Sequence, residues 1–184
     1  MPVDSDSPDG DVLGLAHGRV RLAAPTPRWA ALFADEAERL RGALGALATA
    51  VEHYGSASVA GLPAKPILDI LVGTAALDEP GEFARLLAPL GYEYAPGAGV
   101  PGHLVFGKGA PRTHLVHVVR HGDPEWTSAL RFRDALRADP RLAAEYAALK
   151  SELAARYPER RAEYTDAKAA FILRVLGEAR GSMG

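Results

Sequence analysis

Apolar residues recur at helical spacing early in the chain, alternate with polar ones through its middle, and return to helical spacing in the last third. After Pro25, the residues Trp29, Leu32, Phe33, Ala37, Leu40, Leu44 and Leu47 share one face of a helix of about five turns. Thr26 stands ready to cap it and Pro27 suits its first position. Val51 to Tyr54 is short, apolar and closed by Gly55-Ser56, so it reads as a strand entering a tight loop. Ile67 to Val72 reads as a second strand, entered from Pro66 and ended by Gly73, with one carboxylate, Asp69, inside an otherwise apolar run. A helix is predicted over Glu79 to Leu90 and is stopped by Gly91. Gly91 to Ala95 and Leu104 to Gly107 then form a hairpin around a Pro/Gly-rich loop.

A further strand is expected over Thr113 to Val119. Its alternation puts Thr113, Leu115, His117 and Val119 on one face and His114, Val116 and Val118 on the other. Beyond it, Asp123-Pro124, Asp139-Pro140 and Pro158 each signal a helix start, so three helices close the chain. Strands interleaved with helices and followed by an all-helical third predict an α/β (α+β) fold in which a mixed sheet packs against helices. Residues 1–19, rich in Asp, Ser, Pro and Gly, read as a flexible lead-in, and 20–180 as a single domain.

Composition narrows the function. With 184 residues, 48% of them hydrophobic and 24% charged, the chain is long and apolar enough to bury a continuous core. It contains no cysteine, which removes disulfides, thiolate metal sites and thiol nucleophiles and favours a cytoplasmic setting. The N-terminus lacks the basic and apolar regions of a signal peptide, and no apolar run reaches the ~18 to 20 residues that span a bilayer. A net charge of -2 supplies no general basic field, so neither nucleic acid backbone nor a membrane is the expected partner. A small anionic or nucleotide-like ligand held by local Lys and Arg remains open.

The chemistry concentrates between His53 and Asp69. A strand ends in Gly55-Ser56, a loop of small residues with Ser58 follows, Lys65 comes next, and a second strand presents Asp69 thirteen positions after Ser56. Glycine lets the backbone approach a phosphate, the serine hydroxyls and loop N–H groups can bind its oxygens, and the aspartate can hold a divalent cation. Read structurally, Asp69 instead fixes the loop by hydrogen bonding, and His53 and His117 are buried neutral imidazoles. If both histidines faced Asp69, the two imidazoles and one carboxylate would suit a transition metal better than Mg2+.

The segment from His53 to Ile70, His-Tyr-Gly-Ser-Ala-Ser-Val-Ala-Gly-Leu-Pro-Ala-Lys-Pro-Ile-Leu-Asp-Ile, resembles the signature of the GrpB-like (UPF0157) proteins. The likeness continues through Phe132-Arg133-Asp134-Ala135-Leu136-Arg137, Pro140, Tyr146, Lys150, Tyr164 and Lys168, and covers roughly 20–176. The resemblance implies a nucleotidyltransferase-like mixed sheet flanked by helices, with the Gly-Ser loop after its first strand. It also raises Arg133, Lys150 and Lys168 as ligands for an anionic substrate.

A working nucleotidyltransferase carries Asp-x-Asp and a third carboxylate around two metal ions. This chain has Leu71 two residues after Asp69 and His117 where the third acid is expected. Two functions remain. The first is a nucleotidyl- or group-transferase for a phosphate-bearing substrate, with Asp69, His117 and Lys65 catalytic, Gly55, Ser56, Ser58, Lys65, Arg133, Lys150 and Lys168 binding substrate, and Asp69, His117 and His53 at a divalent metal. The second is a non-catalytic nucleotide- or anion-binding module on the same scaffold.

Overall fold

The computed structural model describes residues 12–77, 80–96 and 102–181. Five strands form one sheet: β1 (Ala50–Tyr54), β2 (Leu68–Thr74), β3 (Tyr92–Tyr94), β4 (Leu104–Lys108) and β5 (His114–Arg120), in the order β1-β2-β5-β4-β3. The central pair β2 and β5 is parallel and the other neighbours are antiparallel, so the sheet is mixed as expected. Asp69 and His117 therefore lie on adjacent strands of one sheet. The strand ends sit within a residue or two of the sequence reading. Glu79 and part of the Pro/Gly-rich hairpin loop lie outside the described residues.

Two helical layers cover the sheet. Helices α1 (Arg28–Leu44) and α2 (Gly81–Leu87) pack Trp29, Leu40, Leu44, Phe83 and Leu87 against Val51, Leu68, Ile70, Val72, Val116 and Val118. Helix α1 starts one residue later than expected, with Pro27 in the cap position, and the Arg28 N–H donates to the Thr26 hydroxyl. It ends at Gly45, whose positive φ turns the last residues into a short 3-10 turn, so the helix stops before Leu47. The opposite face of the sheet presents Leu71 and Val119 to Trp126 of α3 (Pro124–Ala138). Gly73 continues β2 instead of ending it. A Cβ there would lie 3.0 Å from the Trp126 ring and 3.1 Å from His121, so the glycine makes room for that packing.

The helical third contains α3, α4 (Pro140–Arg156), α5 (Arg161–Asp166) and α6 (Ala169–Gly181), four helices where three are expected. Asp139 caps α4 by accepting from the Arg141 and Leu142 N–H groups, as an Asp-Pro start predicts. The final helical run breaks between Asp166 and Ala169 with no Gly or Pro to signal it. Tyr146 of α4 stacks on Phe171 of α6, and Val59 and Leu62 from the loop after the Gly-Ser turn complete that second core.

Residues 12–19, expected as part of a flexible lead-in, make contacts with the domain; residues 1–11 lie outside the described ones. Leu13 and Leu15 are buried, Gly14 donates to the Pro66 carbonyl, and Leu15 pairs both ways with Arg112. The Val12 carbonyl also accepts from the Trp29 indole N–H at 3.3 Å. Three apolar residues among the polar ones, Val12, Leu13 and Leu15, carry this attachment.

A second polar feature was not legible. Glu36 on the buried face of α1 is 2% exposed and accepts from the Tyr92 hydroxyl and the Lys108 ammonium, both at 2.9 Å. Burial pushes its carboxyl up, but these hydrogen bonds and the Lys108 charge outweigh burial and hold it below the ordinary glutamate value. The pair ties α1 to the β3–β4 edge of the sheet.

Candidate functional site

Gly55 leaves β1 with φ 70°, a left-handed conformation that favours glycine. Space confirms the requirement, because a Cβ at Gly55 would sit 2.8 Å from the Asp69 Oδ2 and 3.1 Å from its Cβ. The carboxylate therefore lies directly over the glycine, and the Gly-Ser loop and Asp69 fit one another as shapes. Residues Ser56–Ser58 then form a single 3-10 turn. The Ser58 hydroxyl and N–H both donate to the Gly55 carbonyl, at 2.6 and 3.2 Å, so Ser58 holds the turn closed and does not offer its donors to a ligand.

Beside this loop is a cavity of about 360 Å3, lined from the sheet by Tyr54, Gly55, Ser56, Lys65, Asp69 and His117. The helical third supplies the other wall: Phe132, Tyr146, Lys150, Arg161, Tyr164 and Lys168. Lys65, Lys150 and Lys168 thus converge, and Arg161, which nothing in the sequence pattern singled out, joins them.

Two tyrosines organise the lysines. The Lys168 and Lys65 ammonium groups lie 4.4 and 6.0 Å from the Tyr164 ring centroid, and Lys150 lies 5.3 Å from that of Tyr146. Lys150 is 2% exposed and donates to the Pro63 carbonyl, so it also anchors the loop leading to Lys65. Tyr146 is hydrogen-bonded to the Ser56 side chain. Burial, and after it the charges of neighbouring cations, pushes Lys150 and Lys168 down to about 7, and burial with Arg161 pushes Lys65 down to about 8. Asp69 works the other way on all three. Among the described residues its carboxylate takes part in no ion pair or side-chain hydrogen bond, despite four cationic side chains around the same cavity.

His117 is 7% exposed and faces the cavity side of the sheet, edge-on to the Tyr54 ring. Burial, then the charges of His103, Lys65 and Arg161, pushes its imidazole down to about 3. Its Nδ1 lies 3.3 Å from the Nδ1 of His103, a contact in which one ring must donate and the other accept. His103, which immediately precedes the neighbouring strand β4, is therefore its hydrogen-bonding partner.

Two expected site residues stand elsewhere. His53 pairs with Ile70 across the β1–β2 ladder, whereas Asp69 pairs with Tyr54. Directly opposed residues share a face, so His53 points to α1 and stacks on Phe33 with ring centroids 4.6 Å apart. His53 cannot join Asp69 and His117 on one metal. Burial pushes it down to about 4, which keeps it neutral. Among the described residues no group of three or more His, Asp or Glu side chains could hold a metal ion. One carboxylate and one neutral imidazole amid four cationic side chains make a donor set better suited to an anion than to a cation.

Arg133, expected to bind substrate, is occupied. It donates to Glu52 at 2.8 Å, to Asp134 at 2.8 Å and to the His53 carbonyl at 3.0 Å. Arg137 donates to the Ser58 carbonyl at 2.8 and 3.1 Å. These two guanidinium groups hold the backbone on both sides of Gly55-Ser56 from behind, and they line a separate cavity with His53 and Ser58.

With this geometry in place, the likeness to known proteins is extensive. The family described as GrpB protein matches residues 19–178. A UPF0157 protein of Pseudomonas aeruginosa is 41% identical over 170 residues, covering 88% of this chain and 68% of its own. The crystal structure of conserved protein GrpB from Enterococcus faecalis superposes with a TM-score of 0.76 at 34% identity, covering 89% of this chain and 99% of that one. A dephospho-CoA kinase of Mycobacterium tuberculosis is 29% identical over 185 residues, which is 86% of this chain but 46% of the kinase. Sequence, fold and coverage agree: the chain belongs to the GrpB (UPF0157) family.

Proposed function

We propose that the protein binds a small phosphate-bearing anion in the cavity between the Gly-Ser loop and the helical third. The observation that carries this reading is the convergence of Lys65, Lys150, Lys168 and Arg161 on one cavity, with the lysine ammonium groups over the Tyr146 and Tyr164 rings. These cations form no ion pair among the described residues and repel one another by more than the single Asp69 charge offsets, and an anion relieves that repulsion. Charge-assisted hydrogen bonds to phosphate oxygens add to the gain. At about 360 Å3 the cavity is at the small end of ligand sites, the size of a sugar phosphate or a mononucleotide. The occurrence of a similar segment in a dephospho-CoA kinase supports a setting in which phosphate esters are handled.

The reading is tested by calorimetric titration of the protein with inorganic phosphate, pyrophosphate and AMP. At least one should bind with uptake of protons near pH 7.5, and Lys168→Ala should weaken it by about tenfold, the loss of one charge-assisted contact. Unchanged binding in Lys168→Ala and Arg161→Ala places the anion outside this cavity.

A second reading, nucleotidyl or other group transfer on a nucleotidyltransferase-type scaffold, is favoured by Asp69. A carboxylate free of ion pairs, beside the cationic cluster, is placed to take the proton of an attacking hydroxyl while Lys65 and its neighbours neutralise the phosphate. His117, held neutral, offers a hydrogen bond from the sheet side. A divalent ion enters this reading only as a co-ligand of the phosphate, with Asp69 as its carboxylate, the way Mg2+ is commonly shared with substrate. The cysteine-free composition fits a reducing, cytoplasmic setting for either reading.

A further inference from the structure

Asp69 is out of place in a site built only for an anion. A negative charge in the same cavity works against a phosphate, and a pocket selected for charge alone is better without it. Nor is it there to neutralise the lysines by contact: it forms no ion pair with any of them, and they lie over tyrosine rings instead. Its position is nonetheless closely fixed. The carboxylate fills the space where a side chain at position 55 would stand, and β2 holds its backbone between β1 and β5. An ionised carboxylate is acceptor-only, so what it lacks is a donor. Among the described residues no side chain donates to it, and the dianionic phosphate group of a simple ester has no donor to give.

From this we infer that the ligand is a phosphomonoester whose other end carries a hydroxyl or amino group, and that Asp69 receives that group. The inference rests on the anion reading and names the second half of the ligand. The cationic cluster around Tyr164 takes the phosphate, Asp69 takes the donor, and the apolar side chains of Phe132 and Leu115 line the space that a short carbon skeleton occupies. The two recognition elements are of opposite sign, so a compound bearing both groups is distinguished by Asp69 from a phosphate ester with a bare alkyl group.

Calorimetry on the full chain tests this with four probes: inorganic phosphate, methyl phosphate, glycerol 3-phosphate and O-phosphoethanolamine. Glycerol 3-phosphate or O-phosphoethanolamine should bind about tenfold or more tighter than methyl phosphate, the worth of a hydrogen bond to a charged acceptor. In Asp69→Asn that gap should shrink to about twofold or less, while methyl phosphate binds as well as before or tighter. Equal affinities for methyl phosphate and both donor-bearing esters in the wild-type protein overturn the inference without any variant, and leave the anion site standing. A gap that survives in a folded Asp69→Asn protein overturns it as well. If inorganic phosphate and all three esters fail to bind, the anion reading falls and this one falls with it.

Discussion

Gly55 and Asp69 constrain each other at the scale of single residues. Alanine at position 55 meets two obstacles, a φ of 70° that L side chains rarely adopt and an Asp69 oxygen 2.8 Å from the new methyl group. The first costs about 1 kcal/mol and the second forces the carboxylate or the loop to move, so Gly55→Ala should lose about 2 to 3 kcal/mol in urea unfolding. It should also lose ligand binding, because the displaced groups line the cavity. A variant with wild-type stability would mean that Asp69 has freedom to swing away. The motif was legible here while the contact was not. Sequence shows a Gly-Ser turn and an isolated acid thirteen residues apart, and chemistry says that both need explaining. That the acid lies on the glycine depends on Tyr54 and Asp69 being opposite one another, a register that no local pattern specifies. The same missing register is why His53 passed for a companion of Asp69.

Element by element, alternation and capping signals served well where each element packs on one side. The valines and isoleucines of β2 and β5 and the apolar stripe of α1 meet as their periods require. Signals failed where a polar side chain turns inward. Glu36 shares the buried face of α1 with Ala37 and Leu40, and the sequence gives it the look of a surface residue. Its partners Tyr92 and Lys108 come from strands 56 and 72 positions away. Removing one member of such a pair leaves the other charge poorly compensated, so Glu36→Ala should destabilise by roughly 3 kcal/mol in denaturant titration. Because the folded carboxyl is held below its unfolded value of 4.5, its contribution is present above that pH. It is lost as the pH falls through the lower folded value. The wild-type protein should therefore lose stability below pH 4.5 more steeply than Glu36→Gln, as followed by circular dichroism. Parallel acid profiles would show that the carboxylate is not held by its partners.

Over the whole molecule, the site is an interface between a sheet that carries the motif and a helical third that carries much of its charge. Lys150, Arg161 and Lys168 lie some eighty to a hundred residues beyond the aspartate they surround, which is why composition and spacing could not assemble them. The resemblance did raise Lys150 and Lys168, and both line the cavity. The break between α5 and α6 had no local signal; it coincides with Lys168 lying over the Tyr164 ring. This clustering has a thermodynamic signature in the ligand-free protein. A lysine pushed from 10.5 to about 7 by folding is less readily charged in the native state. Below pH 7 both states hold the proton and folding bears the whole penalty. Between pH 7 and 10.5 the unfolded chain binds more protons than the native one, so native stability rises with pH. Melting temperatures between pH 6.5 and 9 should climb more steeply for the wild-type protein than for Lys168→Met. Excess phosphate should flatten that climb by keeping the lysines charged. Identical slopes in the two proteins would show that Lys168 titrates normally.

Arg133 and Arg137 grip the His53 and Ser58 carbonyls from the face of the loop away from the cavity. The turn is thus braced from behind by groups that no ligand has to displace, and its shape exists before anything binds. The lysines, in contrast, are set largely by helices that follow much later in the chain. Shape and charge therefore rest on separate parts of the protein, and one cation can be exchanged for another without reopening the turn. Replacing a cation of the helical third should therefore alter binding while leaving the turn intact, whereas losing either arginine behind the loop should loosen the turn itself.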